Sequence, residues 1–164
     1  MSDFQSMQPM TGALTKAGAT AGTTTTFTTA NATLYTLRSK VFSRAAATNL
    51  ATPTTDITTG AAFNAVSANN GCVFLLCWDS GASALRVAQG PIQALDVSGS
   101  FVTAPQWPAF NSDTLCPFAY LVARVASGGS SWTFGTSNLA GPPANTTLTF
   151  VDVALGIPDR PQVS

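Results

Sequence analysis

The stretch Asn69-Asn70-Gly71-Cys72-Val73-Phe74-Leu75-Leu76-Cys77-Trp78-Asp79-Ser80-Gly81 decides the fold. An unbroken apolar run lies between two turn signals, Asn69-Asn70-Gly71 and Asp79-Ser80-Gly81. Seven residues are short for a helix, and neither caps nor a charged face accompany them. The run therefore reads as a β-strand buried on both faces, which requires a covering layer on each side. Ser83–Ala88 (SALRVA) pairs back across the Asp79–Ala82 turn, and Gln89-Gly90-Pro91 ends that strand. A second strong strand, Phe118–Val125 (FAYLVARV), follows Cys116-Pro117, with Arg124 placed near a solvated edge.

Working outward, strand signals recur. Thr25–Ala30 (TTFTTA) and Thr33–Arg38 (TLYTLR) are rich in β-branched and aromatic residues. In the second, Leu34, Thr36 and Arg38 share one face while Thr33, Tyr35 and Leu37 share the other. Arg38-Ser39-Lys40 turns the chain into Val41–Arg44, giving a short hairpin. Residues 45–59 are polar and contain Pro53, a loop or weak edge strand. Ala61–Val66, Ser131–Phe134 and Thr146–Ala154 complete the strands, with Gly128-Gly129-Ser130 as a turn. Pro105, Trp107, Pro108 and Phe110 mark a long crossing between two sheets, and a short helix over Pro91–Val97 is the one helical option. The tail Ile157–Pro161 is extended and either wraps a neighbour or caps the domain.

Many short strands separated by turns, without helical periodicity, define an all-β chain: a β-sandwich or jelly-roll-like domain. Residues 1–24 are mostly Thr, Gly, Ala, Ser, Gln and Met without period, an extended N-terminal arm that cannot bury enough apolar surface by itself. Residues 25–164 form the single β-sandwich domain with an extended C-terminal tail.

Composition narrows the function. Charged residues are 9% of the chain, with seven basic and seven acidic side chains and zero net charge. Without a basic cluster the chain lacks the electrostatic footprint of a nucleic-acid binder. A surface this poor in charge favours self-association. No apolar run reaches the length needed to span a bilayer. The N-terminus lacks the basic and apolar regions of a secretory signal, so synthesis in a reducing cytoplasm is expected.

Catalytic signatures are missing. Histidine is absent, which removes the commonest general base and transition-metal ligand. Asp3, Asp56, Asp79, Asp96, Asp113, Asp152 and Asp159 fall mostly at turns and strand ends, where Asp caps backbone groups. Cys72, Cys77 and Cys116 have no CxxC spacing and read as buried small hydrophobes, with one disulfide as the alternative. No calcium loop, Walker loop or dinucleotide fingerprint occurs. Trp78, Trp107 and Trp132 read as core, with sugar stacking as the alternative use, and an adhesin would expose Trp107. The expectation is therefore no enzyme, no cofactor, no metal, and no catalytic or binding residue assigned. Val73, Phe74, Leu75, Leu76, Phe118, Leu121 and Phe150 are the expected core, each worth about 2–5 kcal/mol on truncation to Ala if fully buried.

Several strings carry a resemblance. They are Tyr35-Thr36-Leu37, Val73–Gly90 (VFLLCWDSGASALRVAQG), Pro117–Val122, Trp132–Leu139 (WTFGTSNL), Thr149–Val153 (TFVDV) and Leu155–Pro161 (LGIPDRP). Over residues 25–162 the chain resembles the small virion proteins of tailed bacteriophages that decorate or cement the head. The resemblance implies a structural protein on the capsid surface, partnered by the major capsid protein and by itself as a homotrimer or homodimer. It implies stabilisation of the shell against internal DNA pressure, with the N-terminal arm lying across neighbouring subunits. The alternative within virions is a neck or tail fibre, or a host-adhesion domain. No residue matches a known capsid contact, so no site is carried over.

Overall fold

A computed structural model describes residues 10–81 and 84–162. The described residues contain no helix and eleven strands, so the protein is all-β. The strands are β1 (Gly12–Ala13), β2 (Ala19–Ala21), β3 (Phe27–Thr29), β4 (Thr33–Leu37), β5 (Lys40–Arg44), β6 (Ala47–Leu50), β7 (Asn70–Asp79), β8 (Arg86–Gln89), β9 (Gln93–Ala94), β10 (Leu115–Val125) and β11 (Thr146–Asp152). One five-stranded sheet runs β11-β10-β7-β8, with β9 pairing the start of β7. Two three-stranded sheets, β1-β4-β5 and β2-β3-β6, pack on one face of it in a sandwich-like arrangement.

The apolar run becomes β7, and its two faces enter different cores. Cys72, Phe74, Leu76 and Trp78 meet the three-stranded sheets through Phe27, Tyr35, Leu37 and the alanines of the N-terminal segment. Val73, Leu75 and Cys77 point the other way, into a layer without a covering sheet. There Phe101, Trp107, Phe110 and Ile157 of extended segments close the second face. Proline-rich chain suits this role, because it lies flat on a sheet without needing ladder hydrogen bonds.

The partner strand β10 keeps the same two-sided burial through a bulge. Its register with β7 slips between Pro117 and Ala119. Cys116 and Phe118 face the first core before the slip, and Leu121, Ala123 and Val125 face it afterwards. One extra residue thus changes which parity points inward. Pro117 sits at that bulge, the place in a central strand where a missing N–H is tolerated. Beside it, Phe118 stacks on Trp78 at 4.3 Å between centroids and 7° between planes. Phe27 tilts against both rings, and the Arg44 guanidinium lies 4.5 Å from the Trp78 ring centroid.

Several boundaries differ from the sequence reading. Residues 1–9 of the expected arm lie outside the described residues, but 10–24 belong to the sandwich. β1 pairs β4, β2 pairs β3, and Ala13 and Ala17 are wholly buried. The Asp152 carboxylate accepts hydrogen bonds from Gly18 N and Ala19 N, both at 3.1 Å, tying this segment to the last strand. Small residues achieve this by close approach, which leaves no hydrophobic period to read. Ala61–Val66 is no strand: Ala62 and Val66 make isolated bridges, to Thr55 and Trp132. Trp132 is the only paired residue of Ser131–Phe134, and Pro91–Val97 holds β9 rather than a helix. The tail caps its own domain: Ile157 packs on the second core, and just before it the Leu155 N–H donates to the Ala13 carbonyl at 2.7 Å.

Two substitutions check this packing by chemical denaturation. Phe118→Ala, which removes a fully buried stacked ring, is expected to cost about 3–5 kcal/mol. Leu34→Ala, on the exposed face of β4, is expected to change stability by less than about 0.5 kcal/mol.

Candidate functional site

The potent side chains are mostly committed to structure. Cys72, Cys77 and Cys116 are free and buried. Burial pushes the thiols of Cys72 and Cys116 up to about 12, and that of Cys77 well above its ordinary range. Cys72 and Cys116 face the first core while Cys77 faces the second, so the sheet separates Cys77 from the other two. The alternative of a disulfide is not realised.

The carboxylates are dispersed. Asp3 lies outside the described residues. Asp56, only 6% exposed, accepts from Thr58 N at 2.9 Å and Gln89 N at 3.4 Å, docking its loop onto β8. Asp96 closes the turn after β9, accepting from the Ser98 hydroxyl and from Ser98 and Ser100 N–H groups, and these bonds, the Ser98 hydroxyl first, hold its carboxyl below the usual range. Asp152 is the latch to β2, and Asp159 is exposed in the tail. Among the described residues no group of three or more His, Cys, Asp or Glu could hold a metal ion. No helix of the described residues is long and apolar enough to cross a membrane.

The tryptophans are structural. Trp78 and Trp132 are fully buried. Trp107, which an adhesin would expose, is half-buried: its ring meets Tyr120 edge-on at 4.9 Å and 88°. Its Nε1–H donates to the Pro158 carbonyl at 2.9 Å, while Tyr120 Oη accepts from Gln162 N at 2.8 Å. These bonds clamp the C-terminal tail across the second core.

A cleft of about 590 Å3 opens where β7 ends and β10 begins. Asp79 and Arg86 face each other there across the mouth of the β7–β8 hairpin, with Arg86 Nε 3.0 Å from Asp79 Oδ2. Phe110 and Leu115 supply apolar surface, and Thr58, Asn111 and Thr114 supply polar groups. The walls are braced by Thr58 Oγ1 donating to the Ala109 carbonyl at 3.1 Å and Ile57 N donating to the Val87 carbonyl at 2.9 Å. A second cleft of about 570 Å3 lies at the β4–β5 turn, lined by Leu37, Arg38, Lys40, Phe42, Ser80 and Asp113. Sequence reasoning missed both clefts, because their residues come from segments far apart along the chain.

No protein-family model, curated protein or solved structure matches this chain.

Two measurements test these assignments. With a thiol-reactive disulfide reagent at pH 8, the native protein is expected to release almost no chromophore, whereas unfolded protein reacts at all three cysteines. Tyr120→Phe removes the tail's hydrogen-bond partner and is expected to lower unfolding free energy by about 1 kcal/mol. A stability equal to the parent's would show that the clamp contributes nothing.

Proposed function

We propose that this protein is a structural component of a virion that binds the outer surface of a phage capsid and stabilises the head. The observation that carries the reading is the placement of exposed aliphatic side chains. Met10, Leu34, Val41 and Leu155 gather around the β1-β4-β5 sheet, while Ile92, Val97 and Val102 lie on the β9 hairpin. Register places Val41 opposite Thr36, diagonal to Leu34 on the outer face, and Met10 reaches this sheet through its carbonyl, which accepts from Ser39 N.

Leu155 is the most telling of them. It is 81% exposed and holds φ at 63°, a left-handed conformation that disfavours a Leu. Folding gains little from an apolar side chain kept in water on a strained backbone, and such outliers point to function. A capsid exterior presents repeated copies of one surface, so a neutral protein with modest apolar anchors gains avidity from the lattice. The low charge, the hydroxyl-rich sequence and the resemblance over residues 25–162 support the same reading.

The test separates stability from docking. Leu155→Asn suits the left-handed backbone and is expected to stabilise the fold by about 0.5–1 kcal/mol. The same variant is expected to rebind stripped phage heads more weakly than the parent. Failure of the parent to rebind heads, or its presence at only a few copies per virion, would overturn the capsid reading.

A further inference from the structure

We propose that the outer edge of β11 is a self-association surface, where a second copy of this chain adds its own β11 antiparallel about a two-fold axis at Thr149. This goes beyond the capsid reading and does not depend on it. The two five-stranded sheets would then run on as one.

The edge of β11 is open where the other edges are short, covered or charged. At the far side of the same sheet, the 55–62 loop seals β8: Ile57 N donates to the Val87 carbonyl and Asp56 accepts from Gln89 N. In the small sheets β1 and β2 have two and three residues, and β6 is broken by Asn49 at a φ of 54°. A two-fold pairing centred on β5 would set Lys40 opposite the partner's Arg44, a like-charge contact. β11 runs for seven residues, Thr146–Asp152 (TTLTFVD), with neither the Lys nor the Pro that usually blunts an edge.

The ladder shows which backbone groups face outward. Ala126 N donates to the Asn145 carbonyl at 2.8 Å, and Val153 N donates to the Phe118 carbonyl at 2.9 Å. Antiparallel bonds recur at every second residue, so Thr147, Thr149 and Val151 also turn their N–H and C=O towards β10. Leu148 and Phe150 therefore present theirs to the outside, and among the described residues nothing bonds to them. Pairing about Thr149 sets Leu148 opposite the partner's Phe150, and these two positions exchange about four backbone hydrogen bonds across the axis.

The side chains are self-complementary in that register. Leu148 and Phe150 are half-buried and pack against the first core, so the aromatic–aliphatic pair carries that core across the interface. On the other face Thr149 meets its own copy, and Thr147 falls opposite the partner's Val151. Asp152, the only charged residue of β11, is held by Gly18 N and Ala19 N and falls opposite the partner's Thr146. No like charges meet. Such a contact uses the same patch on both copies, so it closes as a dimer.

Sedimentation of the full chain over a concentration series tests the edge. A reversible monomer–dimer equilibrium is expected, with a dissociation constant below about 100 μM. Thr149→Lys sets two ammonium groups face to face and is expected to weaken dimerisation at least about tenfold, with an unchanged unfolding midpoint in dilute solution. Thr149→Cys is expected to give a disulfide-linked dimer on mild oxidation, because directly opposed residues of a non-hydrogen-bonded pair lie about 4.5 Å apart at Cα. Thr147→Cys, whose copy lies further along the strand, is expected to give none, and the buried native thiols stay silent. A parent chain that stays monomeric at millimolar concentration, or forms a trimer, would overturn the proposal. So would a Thr149→Lys variant that dimerises like the parent, or cross-linking of Thr149→Cys no faster than of Thr147→Cys.

Discussion

The pairing of β7 with β10 is the constraint to which the rest of the molecule answers. Both strands are buried on both faces almost throughout their length, so neither can exist until a layer forms on each side. Two small sheets supply one layer, and ordered loop supplies the other. The Trp78–Phe118 stack sits where these requirements meet, next to the bulge that lets β10 keep its apolar face inward after Pro117. Hydrophobic burial drives this arrangement, and the hydrogen-bonded ladder between the strands prevents the buried backbone from opposing it.

The asymmetry of the two covers has a chemical consequence. The covering sheets leave an outer face, which is where Leu34 and Val41 appear in solvent. The covering loops instead bring together the crossing before β10, the β7–β8 hairpin mouth and the 55–62 loop. The first cleft arises at that junction because three irregular segments cannot close against one another as tightly as a strand closes on a sheet.

How much of this was legible in the sequence depended on the length scale of the signal. Cys72–Trp78 and Phe118–Val125 were readable because a continuous apolar run between turns has few other solutions. The β4–β5 hairpin was readable from alternation, and its turn residues Arg38 and Ser39 adopt the positive φ values a two-residue turn demands. The pairing of β1 with β4 and of β2 with β3 was not, since Gly, Ala and Thr give no apolar period there. The bulge at Phe118 was hidden because two parities overlap in a run that is apolar at nearly every position. The clefts were unreadable for a related reason: Thr58, Arg86 and Asn111 become neighbours only through the topology. Trp107 likewise gained its meaning from a carbonyl 51 residues away.

The latch between Asp152 and the amide groups of Gly18 and Ala19 bears on how the chain is made. Its partners are 134 and 133 residues apart in sequence. A ribosome releases the N-terminal segment long before the carboxylate that will hold it has been synthesised. Until then the segment is held by the pairing of β1 with β4 and of β2 with β3 and by its alanines in the first core. Contacts of such separation are slow to form. A newly made chain therefore passes through an interval in which Gly18 and Ala19 lack their final tie to the last strand.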